Sequence, residues 1–97
     1  MTKLKRKYAI TGLVQGVWYR KCTADAAVEI GVDGYVRNLP NGSVEVLASG
    51  TEQQIAALES ALWKGSPASK VEDIQIESTE DAVDSGFEVI WGDDVPV

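Results

Sequence analysis

Gly12-Leu13-Val14-Gln15-Gly16-Val17-Trp18-Tyr19-Arg20 joins a strand pattern to a helix pattern, and the rest of the chain is arranged around it. Upstream, Tyr8 and Ile10 alternate with Ala9 and Thr11, the period of a strand; downstream, a helical pattern begins near Lys21. A strand-to-helix connection is suited to holding an anion. The first N–H groups of a helix have no intrahelical acceptor and carry the positive end of the macrodipole, about half a unit charge. Gly12 and Gly16 let the backbone take positive φ or approach a ligand closely, which is how a loop turns successive N–H groups into a concave nest. Arg20 adds a planar fork of donors that can grip two phosphate oxygens at once. On residues alone two readings stand: a phosphate site, or a chance Gly-x-x-x-Gly spacing followed by a solvated arginine.

Working outward, Tyr8, Ile10 and Gly12 fall on one strand face and Ala9, Thr11 and Leu13 on the other, apolar enough on both for a central strand over residues 7–14. After the loop a helix is predicted from Lys21 to Ile30, with Ala24, Ala27 and Val28 toward the core and Gly31 closing it. Val32–Leu39 and Ser43–Ser49 read as strands around Pro40-Asn41-Gly42, the Asn-Gly pair favouring a hairpin. Val44, Val46 and Ala48 share the inner face. Thr51 and Gln54 make a capping-box pattern before Ile55, Leu58 and Leu62, and Gly65 with Ser66-Pro67 ends that helix. Val71–Glu77 is a fourth strand with Ile74 and Ile76 inward; an acidic loop spans Ser78–Ser85. Phe87, Val89 and Trp91 alternate along a fifth strand, and Gly92–Val97 is a loose tail. The order βαββαββ predicts an α+β, ferredoxin-like sandwich with both helices on one face of a mainly antiparallel sheet.

The chain has 97 residues, 44% hydrophobic and 25% charged, the size and mix of one soluble domain spanning 1–97 with its core over about 7–91. Its net charge of −6 is uneven: residues 1–37 carry seven bases and three acids, +4, and residues 38–97 two bases and twelve acids, −10. A small anion is drawn to the basic end, whereas a nucleic-acid backbone is repelled by most of the surface. Apolar stretches are too short for a membrane span, and the basic run Lys3-Leu4-Lys5-Arg6-Lys7 is not followed by the apolar segment of a secretory signal, so a cytoplasmic protein is expected. The single cysteine, Cys22, excludes an intrachain disulfide. With no histidine in the chain to act as its base, it reads as a small helix residue rather than a nucleophile.

The stretch Gly12–Arg20, as Gly-x-Val-Gln-Gly-Val-x-Tyr-Arg, resembles the signature of the acylphosphatase family, which usually carries Phe where this chain has Tyr19. A second block, Gly34-Tyr35-Val36-Arg37-Asn38-Leu39-Pro40-Asn41-Gly42-Ser43-Val44-Glu45, is similar to that family's asparagine-ended strand, turn and Gly-x-Val. The likeness covers roughly residues 7–91 and implies the same sandwich fold. It also implies hydrolysis of acyl phosphates to carboxylate and inorganic phosphate. By that likeness Arg20 and the backbone N–H groups of Gln15, Gly16, Val17, Trp18 and Tyr19 would hold the phosphoryl oxygens, and the Asn38 amide would orient the attacking water. No cofactor and no metal are implied, and a monomer binding phosphate or sulfate as a product-like ligand is expected.

The absences in the chain agree with that chemistry. There is no histidine, no Cys-x-x-Cys, no Gly-x-Ser-x-Gly and no carboxylate cluster beside the loop. A carboxylate leaving group needs no protein acid, so alignment and charge neutralisation suffice. Asn38 has an alternative reading as a turn residue making an Asx-type bond. Tyr19 reads as core packing beneath the loop, with a hydroxyl that needs a partner; Trp18 stands open between packing and stacking on an acyl group. Arg37, on the opposite strand face from Asn38, is not expected to be a ligand. Two other functions remain, a non-catalytic phosphate or acyl-phosphate binding module and an RNA-binding domain stacking bases on Tyr35 and Trp18; the net negative charge opposes the second.

Overall fold

The computed structural model describes residues 3–91. Along the chain come β1 (Leu4–Leu13), α1 (Tyr19–Ile30), β2 (Asp33–Asn38), β3 (Val44–Gly50), α2 (Glu52–Lys64), β4 (Lys70–Ser78) and β5 (Phe87–Ile90). The strands form one sheet in the order β4-β1-β3-β2-β5, antiparallel at every neighbour except the parallel β2 and β5. Both helices pack on one face, giving the predicted ferredoxin-like α+β sandwich. The tail over residues 92–97 lies outside the described residues. Among the described residues no helix is long and apolar enough to cross a membrane.

The two-residue period of β1 puts Tyr8 opposite Val46 and Ile10 opposite Val44, all fully buried under the helices. Ile55, Leu58 and Leu62 of α2 close over them. Each such burial is worth about 1.5–3 kcal/mol, more than the differences in helix propensity among ordinary residues, so this stripe sets how α2 lies. The predicted capping box is present: Thr51 N–H donates to Gln54 Oε1 at 2.9 Å and Gln54 N–H to Thr51 Oγ1 at 3.2 Å. Gly31 ends α1, its N–H donating to the Ala27 carbonyl at 2.8 Å.

Four expectations about α1 and the edge strands change. α1 begins at Tyr19 rather than Lys21, so its buried stripe runs Tyr19, Thr23, Ala27 at helical spacing. Val28, expected in the core, lies off that stripe and is 65% exposed. Ile76 shares a face with Ile74 but is 46% exposed, because β4 is an edge strand and α2 presents Glu59 rather than an apolar side chain to the Tyr8 hydroxyl beside it. Trp91 does not continue the alternation of Phe87 and Val89; β5 stops at Ile90.

Gly12, expected to serve the loop, serves the sheet. β1 shifts register against β4 between Thr11 and Gly12, where φ is 124°. A side chain there would overlap the Lys70 carbonyl oxygen. Beyond the bulge β1 stays paired with β4 only through Gly12 and Leu13, in shifted register, before the chain enters the loop ahead of α1.

Candidate functional site at the start of the first helix

The loop over residues 14–18 is held at three points. Val14 is buried in the core. Ser66 Oγ donates to the Val17 carbonyl at 2.5 Å. Gln15 Nε2 donates to the carbonyls of Leu39 and Ser43, both at 2.8 Å, tying the loop to the β2–β3 hairpin. Gly16 (φ 73°) and Trp18 (φ 66°, ψ 17°) are both left-handed, and Trp18 is the one non-glycine residue with positive φ among those described. For a bulky residue this conformation costs about 1–2 kcal/mol.

Trp18 stands at the N-cap of α1 without a side-chain hydrogen bond to the helix, and no acid occupies the first turn. The first helical bond is Cys22 N–H to the Trp18 carbonyl, 3.1 Å. The donors ahead of it have no acceptor within the helix. Arg20 and Lys21 follow at once, adding positive charge to the positive end of the dipole.

Arg20 is 6% exposed, yet it borders solvent through a pocket of about 190 Å³ formed by Gly16, Trp18, Arg20, Lys21 and Trp91 over Val14 and Tyr19. One guanidinium donor, Nη1, goes to the Ile90 carbonyl at 3.2 Å, and the guanidinium carbon lies 4.4 Å from the centre of the Trp91 ring. The indole holds the guanidinium by its face and the carbonyl holds it by one edge, so the fork has a defined orientation. Burial lowers its pKa from the ordinary value, and a group that starts above about 12 stays protonated at neutral pH.

Asn38 is the last residue of β2, paired with Val44 and 4% exposed. It is not in the wall of the Arg20 pocket. Two bonds bracket it along the chain. Gln15 reaches the carbonyl of the next residue, Leu39, and Arg20 reaches Ile90, the β5 neighbour of the preceding residue, Arg37. The Asx-type bond of the hairpin is made by Asn41, whose Oδ1 accepts from the Ser43 N–H at 3.0 Å and its Oγ at 2.6 Å. Arg37 points outward and pairs with Glu45, Nε to Oε1 2.9 Å.

Of the loop residues, Gly16, Trp18 and Tyr19 line the pocket, while Gln15 and Val17 do not. Tyr19 is core, and its hydroxyl finds a partner in the Leu62 carbonyl at 2.7 Å, one of the last-turn acceptors of α2. Burial raises the pKa of that hydroxyl, so it remains a donor. Trp18 is 74% exposed. Cys22 is half-buried in α1. Three pocket residues were missing from the sequence-based set, the core residue Val14 in its floor and two at its rim, Lys21 and Trp91. Lys21 carried a signal, a second cation in the first helical turn, and its amine pairs with Asp25 at 3.1 Å. Trp91 carried only its alternation with Val89; its place depends on the parallel pairing of β5 with β2. Among the described residues no three or more His, Cys, Asp or Glu side chains group to hold a metal ion. What the pocket offers is fixed positive charge and donors for an anion bearing several oxygens.

Comparison with known proteins agrees with this chemistry. A family model described as Acylphosphatase matches residues 6–89. An acylphosphatase of Rhizorhabdus wittichii is 41% identical over 85 residues, covering 88% of this chain and 86% of that one. An acylphosphatase of Nitrosococcus oceani is 46% identical, with 82% of this chain and 90% of that one covered. The crystal structure of acylphosphatase from Bacillus subtilis matches with a TM-score of 0.84 at 32% identity, covering 90% of this chain and 98% of that one.

Proposed function

The chain belongs to the acylphosphatase family and is a hydrolase acting on acyl phosphates; from that premise we propose that Arg20 and the N–H groups of residues 15–19 bind the phosphoryl group while Asn38 orients the attacking water. The observation that carries this reading is the buried Arg20, fixed by Ile90 and Trp91 in a pocket at the uncapped start of α1.

The reaction follows from the charges. The phosphoryl oxygens take the remaining guanidinium donors and the backbone N–H groups; donors fixed in advance need no reorganisation as charge builds up. Water held by the Asn38 carboxamide attacks phosphorus; the new P–O bond forms as the bond to the acyl oxygen breaks. The leaving group departs as a carboxylate, so no side chain has to protonate it. An amide accepts no proton at neutral pH, so the proton of the attacking water passes to the phosphate itself, giving carboxylate and inorganic phosphate. The arginine and the N–H nest supply the positive charge, and the reaction runs without a metal ion. Inorganic phosphate is a product-like ligand of the same pocket. The reading carries with it a monomer acting in the cytoplasm, in keeping with a single cysteine.

The test is release of phosphate from benzoyl phosphate by the purified protein with EDTA present, beside Arg20→Ala and Asn38→Ala. Turnover with EDTA, reduced at least ~10²-fold by either substitution, is the expected result. Asn38→Ala lowers kcat while leaving the phosphate-induced rise in melting temperature in place. Phosphate binding without turnover in the unaltered protein would make the chain a binding module instead.

A further inference from the structure

The pocket around Arg20 has more apolar wall than a phosphoryl group uses. Two of the three tryptophans of the chain line it, Trp18 and Trp91, 74% and 56% exposed. A tryptophan left in water forgoes the burial of 150–250 Å² that usually rewards its presence, and single exposed aromatics need no explanation. Two at one pocket, one of them kept in the left-handed region at φ 66°, do call for one.

Connectivity supplies it. In an acyl phosphate only the bridging oxygen separates phosphorus from the carbonyl carbon, so an acyl group whose phosphoryl end is held by Arg20 begins beside the side chain packed on Arg20. That side chain is Trp91, its ring centre 4.4 Å from the guanidinium carbon. Contact with the guanidinium fixes the orientation of the indole and leaves the rest of its surface open to the pocket.

We propose that Trp91, with Trp18 as the second wall, forms an acyl subsite that selects acyl phosphates carrying a flat aromatic acyl group. The assignment rests on the acyl-phosphate reading above. An anionic acyl group would need a free cation at the same place. The nearest candidate, Lys21, has its amine engaged by both oxygens of Asp25 at 3.1 and 3.2 Å.

Two measurements decide it. The first is the ratio of kcat/KM for benzoyl phosphate to that for acetyl phosphate, taken within each preparation so that the folded fraction and the intrinsic reactivity of the two substrates cancel between variants. An aromatic contact of typical strength corresponds to about fivefold. Trp91→Ala is expected to lower the ratio by about that factor, Trp91→Phe to restore most of it, and Trp18→Ala to lower it by about twofold to threefold. Trp63→Ala, on the exposed side of α2 and outside the pocket, leaves it unchanged. The second measurement is calorimetric titration with phenylphosphonate and methylphosphonate. The unaltered protein binds the phenyl compound about fivefold more tightly, and Trp91→Ala binds the two alike. This arm needs no turnover, so a protein that hydrolyses neither acyl phosphate sinks the hydrolase reading while the titration still decides the subsite. A ratio unmoved by Trp91→Ala, equal binding of the two phosphonates by the unaltered protein, or an equal shift in Trp63→Ala overturns the proposal.

Discussion

The two helices begin in opposite ways. α2 starts from an extended Thr51 (φ −69°, ψ 167°), closes its first N–H groups with a reciprocal capping box and carries Glu52 in its first turn. α1 starts from a left-handed Trp18, has no side-chain cap, and follows it with Arg20 and Lys21. By the rules of helix stability the second arrangement is wrong twice over, in unmet donors and in cations at the positive end of the dipole. One fold thus holds a helix start completed by its own side chains and another that its side chains leave open. On the function proposed above, the difference separates the residues that maintain the fold from those that serve a ligand.

Substitutions sharpen the contrast, beginning where the largest effect is expected. Arg20→Ala lowers kcat/KM for benzoyl phosphate at least ~10²-fold, while its midpoint of thermal unfolding stays close to that of the unaltered protein; a large fall in the midpoint would make Arg20 a fold residue. Gln15→Ala removes both bonds that tie the loop to the hairpin. It costs about 1–2 kcal/mol in urea unfolding and about tenfold in kcat/KM, because the nest and Asn38 lose their common anchor. Thr51→Ala costs about 1 kcal/mol with kcat/KM within twofold, as befits a start that faces no substrate. Trp18→Gly has the opposite sign on stability. Relief of the left-handed strain raises it by up to about 1 kcal/mol, so equal destabilisation by the two N-cap substitutions would erase the distinction between the helix starts.

Legibility in the sequence divides along the same line. α2 could be read almost whole, because Thr51, Gln54 and the Ile55-Leu58-Leu62 stripe are local signals acting within one helix. The Asn41-Gly42 hairpin and the Gly31 stop were equally local. The start of α1 was misplaced by two residues because its N-cap is a tryptophan in an unusual backbone conformation, which no capping pattern announces. From that slip follows the exchange of Val28 for Thr23 on the buried stripe. Ile76 was misjudged for another reason: strand alternation assigns a face but does not tell how far the helices extend over it. At the site, spacing offered the loop and Arg20 as a phosphate candidate beside a chance reading, and the likeness to a family, not the spacing, chose between them. Trp91, the Ile90 carbonyl and the Gln15 bridge could not, since each depends on strands brought together only in the folded sheet.

The parallel pairing of β5 with β2 sets a schedule. Both groups that steady the guanidinium, the Ile90 carbonyl and the Trp91 ring, come from the last strand in chain order and the residue that follows it. A nascent polypeptide therefore leaves the Arg20 guanidinium unsteadied until that segment has emerged from the ribosome and docked. The same dependence bears on where a tag can be attached: a partner fused close behind Trp91 crowds the entrance to the pocket, so an affinity handle belongs ahead of β1.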